Sequence, residues 1–198
     1  MIEFNKDKHE YKVDGVVLPS VSQIMQPLSQ QYYSKIPEKI MEQARNRGSK
    51  VHEAIDDYIT FGIFNEEYKL YVQQFVLFMQ NQGWTIVGNE LMFTNNEYCG
   101  TLDLLMVDEN GDYHVVDIKV TSKINQKLLE VQLYAYKNLV ETTGKVIKSC
   151  QVLWLQKDKY SFKTIPLNKE KWEELHEEFK NKGNINKPKS KTKSKRKR

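Results

Sequence analysis

The chain has 198 residues, 39% hydrophobic and 11% aromatic, with a formal net charge of +4, which suits one compact domain with a real core. A mean hydropathy of −0.66, with no apolar run near the ~18 residues that a membrane span needs, argues against a transmembrane protein. The opening MIEFNKDKHEYKV reads as neither a signal nor a transit peptide, and two cysteines, Cys99 and Cys150, neither staple a secreted scaffold nor form a metal knuckle, so a reducing, cytoplasmic setting is expected.

In chain order, residues 2–18 read as a small β element, with Tyr11-Lys12-Val13 and Val16-Val17-Leu18 around the turn Asp14-Gly15. Pro19-Ser20-Val21-Ser22 opens a short helical stretch with a serine cap. Residues 37–60 are helical in composition, with Gly48 expected to break them into two helices. Residues 66–82 predict an amphipathic helix with Leu70, Phe75, Phe78 and Met79 along one side and Gly83 at its end.

The texture then turns to strands. Residues 84–93, 99–107 and 113–120 are β-rich, separated by the turns Asn95-Asn96 and Glu109-Asn110-Gly111. Residues 125–141 predict a helix, 146–155 and 160–165 two more strands, and 169–180 a final amphipathic helix. The order predicts a mixed α/β (α+β) architecture and not a doubly wound repeat.

The charge is unevenly spread. Residues 180–198 hold ten of the 30 Lys/Arg and none of the 26 acids, which leaves residues 1–179 with 20 bases against 26 acids, net −6. A tail of this composition is expected to be disordered, and Lys191, Lys193, Lys195, Arg196, Lys197 and Arg198 within it suit a polyanion bound by counterion release. Solubility alone is the other account of the tail.

Asp117 and Lys119 stand two apart on a predicted strand and therefore on one face. If the preceding turn, Glu109-Asn110-Gly111, is symmetric about Asn110, residues pair when their numbers sum to 220, which sets Asp103 opposite Asp117. Two carboxylates at that spacing repel, and one is pushed towards protonation unless a cation lies between them. Leu102, Leu104 and Val116 make the surroundings core-like, so the acids and the lysine should be paired or metal-bound. Hard oxygen donors suit Mg²⁺ or Mn²⁺, and a neighbouring lysine can orient or help deprotonate a water, or balance charge on a phosphate oxygen. A structural Asp–Lys pair is the alternative at this point. An acid-x-Lys triplet is itself weak, since four occur, at Glu10, Glu67, Asp117 and Glu178; only Asp117 has a partner acid on an adjoining strand.

Gly100-Thr101-Leu102-Asp103, Asp117-Ile118-Lys119 and Gln132-Leu133-Tyr134-Ala135-Tyr136 together resemble the G-x-x-D, D-x-K and Q-x-x-x-Y series of PD-(D/E)XK nucleases. The match is most similar to their RecB-like exonuclease branch, which includes the mitochondrial genome-maintenance exonuclease and many phage proteins. Arg47-Gly48-Ser49-Lys50-Val51-His52 resembles that branch's R-G-x-x-x-H segment. The resemblance spans roughly residues 10–155, and four ordered motifs are far more specific than any one.

It implies a restriction-endonuclease-like core, a mixed central sheet flanked by helices, carrying an N-terminal β-hairpin and helices. Residues 1–179 would form one nuclease domain: the hairpin and helical part over 1–82, the catalytic core over 83–166 and a last helix over 167–179. It further implies Asp103, Asp117 and the Ile118 carbonyl as metal ligands, Lys119 as the catalytic lysine, and His52 reaching the same metal. Glu90 matches an additional acid that holds the metal through water. Gln132 and Tyr136, one helical turn apart, would contact substrate or the catalytic strand, and Arg47 would contact nucleic acid. The acid of D-x-K is Asp117 and not Glu, a shorter reach. Two cysteines cannot supply the four-cysteine iron–sulfur cluster of some relatives, so none is expected.

The expected function is a Mg²⁺- or Mn²⁺-dependent DNA exonuclease of phage or repair and recombination context, acting in the cytoplasm, or in the host cytoplasm if phage-encoded. DNA, single-stranded or with free ends, is the expected partner. No helicase P-loop is present, so a helicase, recombinase or single-strand-binding protein is the expected protein partner. A structure-specific endonuclease and a catalytically silent binding module are the competing readings, and Tyr32, Tyr33 and Trp84 are candidates for stacking on bases, with core packing favoured for Trp84.

Overall fold

In the computed structural model, which describes residues 1–5, 8 and 10–185, the chain opens with three short antiparallel strands, β1 (Ile2–Asn5), β2 (Glu10–Val13) and β3 (Val16–Leu18). Asp14 and Gly15 take φ of 48° and 82° between β2 and β3, the two positive values that a tight hairpin turn requires. The short α1 (Val21–Ile24) is capped reciprocally: the Ser20 hydroxyl accepts from the Gln23 N–H and the Gln23 side chain accepts from the Ser20 N–H. A further helix, α2 (Gln26–Tyr33), follows.

α3 (Glu38–Phe61) is one continuous helix of 24 residues, so the break expected at Gly48 does not occur. A single glycine costs a helix only about 1 kcal/mol relative to alanine, and burial of Val51, Ala54 and Ile55 anchors the C-terminal half. No residue of α3 before Val51 is buried. α4 (Lys69–Gln82) starts three residues later than expected, after Asn65 Oδ1 accepts the N–H groups of Glu67 and Tyr68. Its buried face is Tyr71, Val72, Phe75 and Phe78, while Leu70 is exposed. Five residues before Phe75, Leu70 falls about 140° round the helix from it.

The main sheet contains β4 (Thr85–Thr94), β5 (Cys99–Val107), β6 (Tyr113–Lys119), β7 (Ile147–Leu155) and β8 (Tyr160–Thr164) in spatial order β4-β5-β6-β7-β8. β6 and β7 are parallel, joined through α5 (Gln126–Glu141), and the other pairs are antiparallel. The last helix, α6 (Lys169–Ile185), continues past the expected end at Lys180 into the segment expected to be disordered. Residues 186–198, with Lys191, Lys193, Lys195, Arg196, Lys197 and Arg198, lie outside the described residues.

Each sheet face is covered by helices. On one, Val51, Ile55, Phe75 and Phe78 pack against Leu104, Met106, Val116 and Ile118. On the other, Leu129, Leu133 and Val140 of α5 meet Leu105, Val115 and Val152, and a further cluster joins α5 to Ile24 and Trp172. The N-terminal sheet is tied to β5: the Tyr11 hydroxyl lies 2.7 Å from Thr101 Oγ1, and the Cys99 N–H donates to the Pro19 carbonyl at 2.9 Å. Among the described residues no helix is long and apolar enough to cross a membrane.

Candidate active site

The site begins with a turn. Asp108 Oδ1 accepts from the N–H groups of Asn110 and Asp112 at 2.9 and 3.0 Å, and Gly111, at φ 82°, lets the chain reverse. That reversal sets the β5–β6 register at Val107↔Tyr113, Met106↔His114, Leu105↔Val115 and Leu104↔Val116, each pair summing to the predicted 220. The next position along this register is Asp103 opposite Asp117. There the backbone ladder gives way to a side chain: Asp103 Oδ2 accepts from the Ile118 N–H at 2.6 Å.

β4 adds a third acid to the same row. It pairs Asn89 with Leu104 and Leu91 with Leu102, which places Glu90 against Asp103. Glu90 takes φ 47°, a left-handed conformation costing a non-glycine residue on the order of 1 kcal/mol or more. Asn89 Nδ2 donates to Asp56 Oδ1 beside it, tying β4 to α3 one helical turn beyond His52.

His52 comes from the buried half of α3. Its Nδ1 lies 3.4 Å from Asp103 Oδ1 and 3.6 Å from Glu90 Oε1, and its Nε2 lies 3.1 Å from the Ile118 carbonyl oxygen. Ligand atoms of His52, Glu90 and Asp103 all fall within 4.8 Å of one another. Burial pushes the imidazole down, but Asp103 and Glu90 outweigh it and hold His52 at about 10. Burial pushes Asp103 up, and His52 and Lys119 bring it below the ordinary carboxylate value.

Asp117 is 2% exposed. Lys119 Nζ donates to its Oδ1 at 2.9 Å and lies 2.7 Å from its Oδ2, which accepts no directed hydrogen bond. Burial raises Asp117, Lys119 opposes and Asp103 adds, leaving it at about 6. Lys119 is driven down by burial, but Asp117 and Asp103 prevail and raise it, so it stays an ammonium. Asp117 thus stands apart from the His52–Glu90–Asp103 group, engaged by its lysine. The Glu90 and Asp103 carboxylates and the Ile118 carbonyl are oxygen donors of the kind that Mg²⁺ or Mn²⁺ takes, with the His52 ring nitrogen among them and Asp117, held by Lys119, as a neighbouring carboxylate.

α5 closes the site from one side. Gln132 Nε2 donates to the Tyr136 hydroxyl at 3.3 Å. Burial, then Asp103 and Asp117, raise the Tyr136 phenol far above its usual value, which keeps it neutral. A Cβ on Gly100 would meet Tyr136 Cε1 at 2.8 Å, so the glycine of the G-x-x-D motif leaves room for the tyrosine of Q-x-x-x-Y. Arg47 is exposed on the first half of α3, five residues before His52.

Of the aromatic candidates, Tyr33 lines a cleft with Lys119, Thr121, Lys123 and Gln132, and Tyr32 is exposed. Trp84 is away from the site, stacked on His114 with ring centroids 4.0 Å apart. Sequence reasoning missed Asn89, Asp56 and Trp154, none of which belongs to a motif. The signal for Trp154 is its pairing with Lys119 across parallel strands, and no local pattern reveals a parallel register.

A family model described as the PD-(D/E)XK nuclease superfamily matches residues 70–197. The span includes Glu90, Asp103, Asp117, Lys119, Gln132 and Tyr136 and begins after Arg47 and His52. Among solved structures, the protein SSO0001 is similar over 89% of this chain and 80% of its own, with a TM-score of 0.47 and 13% identity. No curated protein matches the chain.

Proposed function

The chain belongs to the PD-(D/E)XK nuclease superfamily, and on that premise we propose that it is a Mg²⁺- or Mn²⁺-dependent DNA exonuclease. The observation that carries this reading is the row Glu90–Asp103–Asp117 across three strands, with Lys119 on Asp117 and His52 on Asp103. The preference for an exonuclease comes from the likeness of the Arg47–His52 and Gln132–Tyr136 segments to the RecB-like branch.

Asp103, Asp117, Glu90, His52 and the Ile118 carbonyl would hold the cation, which when bound supplies Lewis-acid polarisation of the phosphodiester and a more acidic water. Hydrolysis adds water across one P–O bond: the water oxygen bonds to phosphorus, the ester oxygen leaves, and one proton ends on that oxygen. Lys119, kept charged by Asp117, is suited to stabilise the negative charge that grows on the phosphate oxygens and not to take the proton of the water. Tyr136 and Gln132 hold the wall of the site behind Asp103. Arg47, and the basic residues at Lys191, Lys193, Lys195, Arg196, Lys197 and Arg198, would meet the phosphate backbone, which an acidic body by itself would repel.

The test is digestion of end-labelled linear single- and double-stranded DNA beside a closed circle, with Mg²⁺, Mn²⁺ or EDTA. Loss of linear DNA alone, stopped by EDTA and by Asp117→Asn, is the expected result. Cutting of circles would replace the exonuclease by an endonuclease, and binding without any cleavage would leave a nucleic-acid-binding module.

A further inference from the structure

β6 and β7 are parallel and pair Lys119 with Trp154 as they pair Asp117 with Val152. Neighbours in register share a sheet face, so the Trp154 indole emerges on the face that carries Asp117 and Lys119. Its N–H donates to the Thr121 carbonyl at 2.7 Å, in the segment that leaves β6. The ring is half-buried and joins none of the three apolar clusters among the described residues.

The other two tryptophans are used differently. Trp172 is 2% exposed within the α5–α6 core, and Trp84 lies against His114. A tryptophan ordinarily repays its size by burying its ring. Trp154 instead has its one polar atom satisfied by the backbone and its ring outside those clusters. Its two neighbours on β6 and just after it, Lys119 and Thr121, line a cleft together with Tyr33 and Lys123, and Lys123 is exposed.

We propose that Trp154 is a stacking platform that, with the Tyr33–Lys123 cleft, seats an unpaired base of the substrate strand next to Lys119. This deepens the nuclease reading and rests on it: the substrate class becomes DNA whose terminal or nearby base is out of a duplex. Stacking uses the π-face that every base offers, so it tolerates sequence. A base inside a duplex has both faces covered by its neighbours and cannot use the platform. Lys123 faces the adjoining phosphate by charge.

The test titrates tryptophan emission of the full chain with an oligothymidylate in EDTA, and measures cleavage of linear single-stranded DNA with Mn²⁺. Quenching is expected in the wild type and in Trp84→Phe, and its loss in Trp154→Phe. Trp154→Ala should raise KM roughly tenfold with kcat unchanged, and Trp154→Phe should restore most of the loss. The proposal is overturned if Trp154→Phe is quenched like the wild type, or if KM does not move in Trp154→Ala. It is equally overturned if both Trp154 variants lose Tm and kcat together, the mark of a structural role. A protein that is quenched through Trp154 but cleaves nothing would keep the platform and refute the nuclease; one that cleaves single strands without quenching would do the reverse.

Discussion

A histidine meets carboxylates at both ends of the β5–β6 pair, His114 of β6 at the turn and His52 of α3 at the far end, and the two ends have opposite electrostatic characters. At the turn, Asp108 spends one oxygen on two backbone N–H groups and sets the other 3.2 Å from His114 Nε2. His114 is then sealed by Ser149, 2.7 Å from its Nδ1, and by the Trp84 ring. Burial works against Asp108, yet those donors hold it at about 2. At the far end Asp103 receives one backbone N–H, Glu90 and His52 crowd against it, and Asp117 is pushed up to about 6. The lesson is that a histidine–carboxylate cluster is structural where its own backbone consumes the lone pairs. It is fit to bind something where acids from separate strands are forced on one another.

Substitutions at the two ends should therefore separate chemistry from stability. Asp117→Asn or Lys119→Ala should lower cleavage at least about a hundredfold while DNA binding in EDTA stays within a few-fold, as measured by single-turnover rates and a filter-binding titration. Next in size, Mn²⁺ at about a hundred times its Kd should stabilise the wild type by about 2.7 kcal/mol, read as a rise of several degrees in Tm. Asp103→Asn should abolish that rise. At the other end, Asp108→Ala should cost about 1–3 kcal/mol by leaving turn N–H groups unpaired, with kcat per folded molecule preserved at a temperature where the variant is folded. An Asp108 variant that folds normally but loses cleavage would erase the distinction between the two ends.

The remaining effect concerns pH. His52 is raised from its ordinary 6.5 to about 10, so in chelator its contribution to stability is complete below 6.5 and disappears as pH rises through 10. Asp117, raised from 3.8 to about 6, favours the folded state at low pH and loses that contribution between those values. The two windows do not overlap. The Tm of metal-free wild type should decline between pH 7 and 10, and His52→Gln should flatten that decline.

Much of the site was legible because its signals are local. The Asn110-centred turn predicts the register, and the register predicts that Asp103 faces Asp117; both rest on a handful of consecutive residues. The helix error at Gly48 and the misplaced Leu70 have a different origin. Burial of Val51, Ala54 and Ile55 carries α3 through the glycine, and the position of α4 on the sheet selects Tyr71 and Val72 over Leu70. Neither follows from composition.

By itself, then, the sequence determined the order of strands and helices, the turn that aligns β5 with β6, and the motif residues that make this chain a PD-(D/E)XK protein. The tertiary structure alone decided that His52 reaches Asp103 and Glu90, that Asn89 bonds Asp56, that Gly100 makes room for Tyr136, and that Trp154 stands beside Lys119. The reason is physical. Hairpin register is set by a few neighbouring dihedral angles, whereas contacts between residues 33 to 51 positions apart depend on how helices dock and on a parallel crossover, which only the packed core specifies.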